Sequence, residues 1–384
     1  MRQLFKKEFT ALLDDPWQLA LATYIPLLAT LALWWLFSAG IPERMPVAVV
    51  DFDHSQISRQ LTRQIEASPN VLVVNYDNLN DATLAMKKTD VFALVVFPYH
   101  MKVNLLAQHQ PTIDVRYNSQ FLLVGKMLSS KIQASLGAGL KNLSTVKQLL
   151  HGVPKSQAII NLSPVSYQGT ALFNQNSNYV AFLVPPILIA MLQLISALLF
   201  INGLTHEISN RTEKEWYKNG VWKGLFTKII FYTSLMMLQG AFLYSFIYQI
   251  IGMPMNGEFR TLLFALLIML LALWTIILFF FFLIKDATRV TSMSLALLSP
   301  SFGFMGVTFP THDMPTIALY WRTIMPSSHY IDAHVKIVSY GERFYDLFLS
   351  LTTYWGYLLL MPIIFYLVNK GVTDADSYLE DKGE

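Results

Sequence analysis

The chain has 384 residues, 54% apolar and 14% charged, with a net charge of +3 and no cysteine. A mean hydropathy of +0.42 lies above ordinary soluble domains, so the composition points to a chain that lives mostly in a membrane, with one polar block lowering the mean. The missing cysteines exclude disulfides, thiolate metal sites and a cysteine nucleophile, and the small charge with no basic, aromatic-interleaved run excludes a nucleic-acid surface.

Residues 1–16 predict an amphipathic helix on the cytoplasmic membrane surface. Leu4, Phe5, Phe9, Leu12 and Leu13 share one helical face, and Arg2, Lys6, Lys7 and Thr10 fall opposite, the pattern of a basic helix lying on anionic lipid. Pro16 turns the chain into an apolar run over 17–41, with Trp34 and Trp35 as interfacial anchors. The leader carries Asp14 and Asp15 and the run exceeds a signal-peptide core, so it reads as an uncleaved first span.

Residues 42–178 change character. Short β-branched runs at 47–50, 71–74, 91–97 and 113–117 alternate with helical patterns at 57–65, 79–87 and 99–106, and a helix of about 30 residues follows from Phe121. Such alternation predicts an α/β domain with a mixed or parallel sheet, large enough to bury its own core. The stretch 152–178 is rich in Ser, Asn, Gln and Pro and reads as a linker back to the membrane.

Uncharged apolar runs recur at 179–201, 229–251, 261–284 and 347–368. A fifth begins at Val290 and passes into a stretch that Pro310, Pro315 and Pro326 interrupt while Phe309, Ile317, Leu319, Tyr320, Trp321 and Ile324 keep it apolar. Helix breakers at membrane depth need protein or a water-filled cavity around them. The reading is a span followed by an outer re-entrant hairpin over 308–330. With the first run this makes six spans within 17–41 and 179–369, a coupling loop over 202–228 and a tail over 370–384. Lys and Arg concentrate in the N-terminal tail, the 203–228 loop, the 285–289 turn and the C-terminal tail. The positive-inside rule puts both termini in the cytoplasm and residues 42–178 outside. Lys228 falls at the cytoplasmic edge of its span, where a lysine is expected to snorkel toward water.

Several motifs suggest chemistry. His206–Asn210 resembles the first part of a zinc-protease helix, but Asn210 stands where the second histidine is needed. Val47–Ser55 ends a hydrophobic strand in Asp51-Phe52-Asp53, as in phosphatases with an aspartate nucleophile. The lysine and further aspartates of that chemistry do not follow, and strand termination with helix capping near Ser55 accounts for both acids. His329, Asp332 and His334 read as hydrogen-bonding groups of a polar outer loop. No Gly-rich phosphate loop occurs, so ATP-driven work would need a separate ATPase chain. No span carries the buried charges that ion-coupled carriers need. The 202–228 loop, with Glu207, Arg211, Thr212, Glu213 and Glu215 beside Trp216, Tyr217 and Trp222, suits a docking surface for a cytosolic partner.

Taken together, the chain resembles the type-2 ABC exporter permease family along nearly its whole length. Lys6, Lys7, Asp15 and Pro16 match the family's basic interfacial helix and its turn, and Val47–Ser55 matches the opening strand of its large external domain. Glu207 and Thr212 match the ends of its coupling-helix motif. Gly306, Phe309, Pro310, Met314, Pro315, Trp321, Pro326 and Tyr330 match its G-x-x-F-P…M-P…W…P-x-x-Y stretch. The resemblance implies an α-helical polytopic membrane protein of six transmembrane helices with an inserted extracytoplasmic α/β domain. It implies an exporter subunit without catalytic, cofactor or metal residues of its own, ATP and magnesium being held by the partner ATPase. It further implies a second permease copy or similar subunit, membrane lipid around the spans, a periplasmic adaptor with an outer-membrane channel, and residence in a bacterial inner membrane. The alternatives are a membrane-anchored receptor or assembly protein that binds a partner without transport, and a phosphohydrolase using Asp51.

Overall fold

In the computed structural model, which describes residues 2–37, 43–107, 109, 111–118, 122–150, 154, 179–209, 216 and 220–380, the chain divides into two units. One comprises Met1–Ser38 and Asn178–Glu384, the other Ala39–Ser177.

The first unit opens with α1 (Arg2–Asp14), α2 (Pro16–Ala22) and α3 (Tyr24–Phe37). Asp15 separates the first two: its side chain accepts from the backbone N–H of Trp17 and Gln18, with Pro16 in the first turn of α2. A carboxylate N-cap followed by proline, whose missing N–H would be unpaired there anyway, is a strong helix start. α2 and α3 meet at a 43° bend, with Thr23 between them.

The second unit holds β1 (Met45–Asp51), α4 (Gln56–Glu66), β2 (Val71–Tyr76), α5 (Leu79–Lys87), β3 (Ala93–Phe97), α6 (Met101–Leu106), β4 (Asp114–Tyr117) and α7 (Leu122–Leu150). The sheet order is β2-β1-β3-β4. β1 runs parallel to both neighbours, pairing Val47 with Val73 and with Ala93, while β4 is antiparallel to β3; the sheet is mixed. β1 is buried on both faces, which is why it reads as an unbroken apolar run rather than an alternation. Val47 and Val49 pack with Leu61, Ile65, Leu128 and Ile132 on one side. Ala48 and Val50 pack with Ala82, Ala85 and Leu94 on the other.

Back in the first unit come α8 (Tyr179–Ser209), α9 (Val221–Ser245), prolonged by a π turn over Phe246–Ile250, and α10 (Phe259–Ile284). The 26 residues of α10 rise about 39 Å, enough for a hydrocarbon core of about 30 Å. Among the described residues four helical stretches are long and apolar enough to cross a membrane: Val180–Glu207, Val221–Ile250, Phe259–Ile284 and Phe344–Thr373. The bent pair α2–α3 makes a fifth if it is one span. α8, α9 and α10 meet around Trp274, whose ring stacks on Phe200 at 4.0 Å and whose indole N–H donates to Thr233 Oγ1 at 3.0 Å.

The stretch from Val290 departs from expectation. α11 (Ala287–Leu298) has 12 residues, about 18 Å of rise, too short to cross alone. Pro300 follows its last turn, and α12 (Ser301–Phe304) adds only 4 residues; proline supplies no N–H to continue the ladder. Then come a 3-10 turn at Thr311–Asp313, α13 (Thr316–Ile324) and α14 (Pro326–Tyr340), followed by α15 (Phe344–Ser350), α16 (Trp355–Leu358) and α17 (Leu360–Glu380). The sequence reading placed His329 and His334 in a polar loop. They lie instead on α14, both buried, with His334 Nε2 2.7 Å from Tyr248 Oη and His329 Nε2 2.9 Å from the Thr323 carbonyl. Ser327, Ser328, His329 and His334 of this segment face neighbouring helices rather than water while Asp332 stays exposed, and periodicity over so short an element does not show which.

Candidate functional site

The densest buried charge in the first unit joins α1 to α8 and α9. Lys228, on α9, is 2% exposed, and Glu8 and Glu207 are 6% and 3% exposed. Lys228 Nζ lies 2.5 Å from Glu8 Oε1 and 3.3 Å from Glu207 Oε1, and donates to the Gly203 carbonyl at 2.9 Å. Lys7 Nζ closes the group from the partly exposed side, 2.9 Å from Glu207 Oε1 and 3.2 Å from Oε2. Tyr232 Oη donates to Glu8 Oε2 at 3.4 Å. The two carboxylates and two ammonium groups balance, as buried charges must if desolvation is not to expel them.

The backbone is fitted to this cluster. At Gly203 any Cβ would collide with the Tyr232 ring, so glycine lets that ring, and with it the Glu8 contact, sit against α8. Phe5 adds an edge-on contact to Phe231, 5.5 Å between centroids.

One expectation is corrected here. Lys228 does not snorkel toward water; its ammonium turns inward because two carboxylates and a carbonyl await it. The apolar stripe of α1 divides between two surroundings: Leu12 is buried beside Glu8 and Phe5 meets Phe231, while Phe9 and Leu13 stay 54% and 49% exposed. Glu8 holds the helix by charge, and the phenyl and leucyl groups are left for a surrounding apolar phase. Glu8 escaped the sequence reading although a signal was present. It stands four residues from both Leu4 and Leu12 on the apolar stripe, and a lone acid there, with one lysine inside an apolar run, is a pairing waiting to be made.

Beside the cluster, Gln3, Lys6, Lys7, Thr10, Ala11, Asp14 and His206 line an open groove of about 460 Å³. Lys6 and Lys7 therefore differ in role: Lys7 is engaged by Glu207, and Lys6 faces the groove. Of the coupling-loop residues, Glu207 belongs to the buried cluster. Arg211, Thr212, Glu213 and Glu215 lie outside the described residues.

The proline-broken stretch is brought together by specific contacts. Gly306 adopts φ +87°, a left-handed conformation that favours glycine, and its missing side chain makes room for Thr311. Trp321 donates its indole N–H to the Leu297 carbonyl at 3.2 Å and stacks on Phe304 at 6.1 Å, which folds α13 back on the end of α11. Arg322 pairs with Asp332 at 2.6 Å and ties α13 to α14. Pro326 opens α14 and Tyr330 is fully buried, stacked near Tyr244. Phe309 and Pro315 are exposed, Met314 half-buried, and Pro310 precedes the 3-10 turn.

Asp51, in the other unit, is occupied structurally. Its Oδ1 accepts from the backbone N–H of Asp53 and of His54, each at 3.0 Å, and its Oδ2 from Ser58 Oγ at 2.6 Å. Asp53 in turn accepts from the Lys102 backbone N–H at 3.2 Å. Asp51 holds the turn after β1 and Asp53 ties that turn to the start of α6, which accounts for the strand-terminal pattern without a nucleophile.

No curated protein matches the chain. A sequence profile described as ABC-2 family transporter protein matches residues 16–369, from the proline that opens α2 into α17. With a bundle of membrane-length helices, no phosphate-binding loop in the sequence, and the match over nearly its whole length, the chain belongs to the ABC-2 transporter family, the membrane subunits that work with ABC ATPases.

Proposed function

We propose that the chain is the permease subunit of an ATP-driven exporter that moves amphiphilic, drug-like or lipid-like cargo out of the cytoplasm or the inner leaflet. The family match over residues 16–369 carries this reading. The buried charge cluster supports a mechanism for it. An ATPase subunit docks against the groove beside α1 and the loop after α8. Its closure on ATP moves α1 and the cytoplasmic end of α8. The Glu8–Lys228–Glu207 contacts then hand that movement to α9, because three helices linked by buried ion pairs cannot slide independently without exposing an unpaired charge.

In this reading the chain makes six passes, α11 and α12 forming the short fifth and α13 returning in the outer hairpin, and both termini lie in the cytoplasm of a bacterial inner membrane. Residues 42–178 stand in the periplasm, where the sheet unit guides cargo or meets an adaptor leading to an outer-membrane channel. Two permease subunits enclose the path. The distribution of positive residues supports this orientation: Lys6, Lys7, Lys223, Lys285, Arg289 and Lys370 fall in segments that alternation places on one side.

Purification of the tagged chain from its native membrane in mild detergent tests the reading. A stoichiometric ATP-hydrolysing partner is expected with it. A chain that emerges alone, with no ATP hydrolysis, contradicts the exporter reading and favours a receptor that binds through its external unit.

A further inference from the structure

The bend between α2 and α3 has a chemical cause. Pro26, buried in α3, has no N–H to offer the carbonyl four residues earlier, which belongs to Ala22. Thr23 is neither helical nor extended, with φ −125° and ψ −87°, and its own N–H returns to Ala20. The carbonyls of Leu21 and Ala22 face inward at this break, and buried carbonyls at membrane depth need donors from elsewhere. Gln239 of α9 supplies them: its Nε2 donates to Ala22 O at 3.1 Å and to Leu21 O at 3.4 Å. Below the break, Thr23 Oγ1 donates to the Leu19 carbonyl at 2.6 Å. Above it, Thr30 Oγ1 donates to Pro26 O at 2.7 Å, a back-bond of the kind that bends helices.

Gln239 also stands in register with the charge cluster. Eleven residues separate it from Lys228, three turns of α9 with only about 20° of rotation left over. One polar stripe of α9 (Lys228, Tyr232, Gln239) therefore grips α1 through Glu8 and the broken span through Ala22.

We propose that Gln239 is a positioning residue that holds the first membrane segment bent at Thr23 and makes α1, α2 and α9 move as one piece, with Thr23 as the hinge to α3. The device requires both Pro26, which frees the carbonyl, and the Gln239 amide, which takes it. It does not depend on what is transported, and it stands or falls separately from the exporter reading.

The test uses the full-length chain in detergent. Gln239→Met keeps the side-chain length and removes both donors, and Pro26→Ala restores the N–H that Ala22 lacks. Because the chain has no cysteine, Leu36→Cys and Leu271→Cys give two unique nitroxide sites on exposed positions of α3 and α10. Gln239→Met is expected to broaden and shift the distance distribution between these labels and to lower Tm by about 2–4 °C. In the Pro26→Ala background the same substitution is expected to have a clearly smaller effect on both, since the restored backbone bond serves Ala22 O and leaves the amide only the longer Leu21 contact. A simple packing role predicts the same loss in both backgrounds. Equal effects with and without Pro26, or an unchanged distance distribution in Gln239→Met, would overturn the proposal.

Discussion

Lys228→Met is expected to destabilise the helical unit by about 3–5 kcal/mol, the usual cost of stranding buried charge by removing its partner. Glu8 would lose its 2.5 Å partner, and Glu207 would lose one of its two ammonium neighbours and keep Lys7, whose side chain is 49% exposed. Desolvation, not attraction, sets the size of the effect: a pair at the surface contributes about 0–1 kcal/mol, and only burial turns the loss into a large one. A triple variant, Lys228→Met with Glu8→Gln and Glu207→Gln, is therefore expected to recover most of the loss although it contains fewer ion pairs. Thermal unfolding in detergent reads both. An unchanged Tm in the single variant, or a triple variant worse than the single, would show that the charges are solvated and that α1 is not held as described.

The second large effect is expected at Trp274→Ala. Trp274 is 2% exposed and joins α8 through the Phe200 stack and α9 through Thr233. Truncating a buried aromatic costs about 3–5 kcal/mol, combining a transfer term with the cavity left behind. In a bilayer the lipid is as apolar as the core, so the transfer part shrinks and the lost packing dominates; the lower end of the range applies. Trp274→Phe keeps a stacking ring but leaves Thr233 Oγ1 without its donor, so a loss of about 1 kcal/mol is expected. A Phe variant as unstable as the Ala variant would assign the effect to the hydrogen bond and not to the three-helix packing.

What the sequence disclosed follows from how each element announces itself. The strands and helices of 45–150 were legible because apolar runs, β-branched residues and the capping group Ser55 agree with one another locally. The long helices α8, α9 and α10 were legible because about 20 apolar residues in a row have few other uses. α11 was overestimated. Its apolar run continues past Leu298, but Pro300 and the left-handed Gly306 divide it, and hydropathy averages over such breaks. The cluster of Glu8, Lys228 and Glu207 was invisible as a cluster, since its members are 220 and 21 residues apart in pairs and meet only through tertiary packing. Gln239 left no signal of its own; the cue was Pro26, which guarantees an orphan carbonyl at Ala22 without saying who answers it.

In the proposed function an ATPase subunit works against the α1 face beside this cluster. Site-specific cross-linking in native membranes tests it most directly, because a chain without cysteine accepts single reporters cleanly. Gln3→Cys and Lys6→Cys, lining the groove, are expected to cross-link to a cytosolic ATPase. Tyr99→Cys, exposed on the sheet unit, is expected to react only with reagents applied from outside. An ATPase captured from position 99, or none captured from positions 3 and 6 while the complex remains intact, would contradict the account.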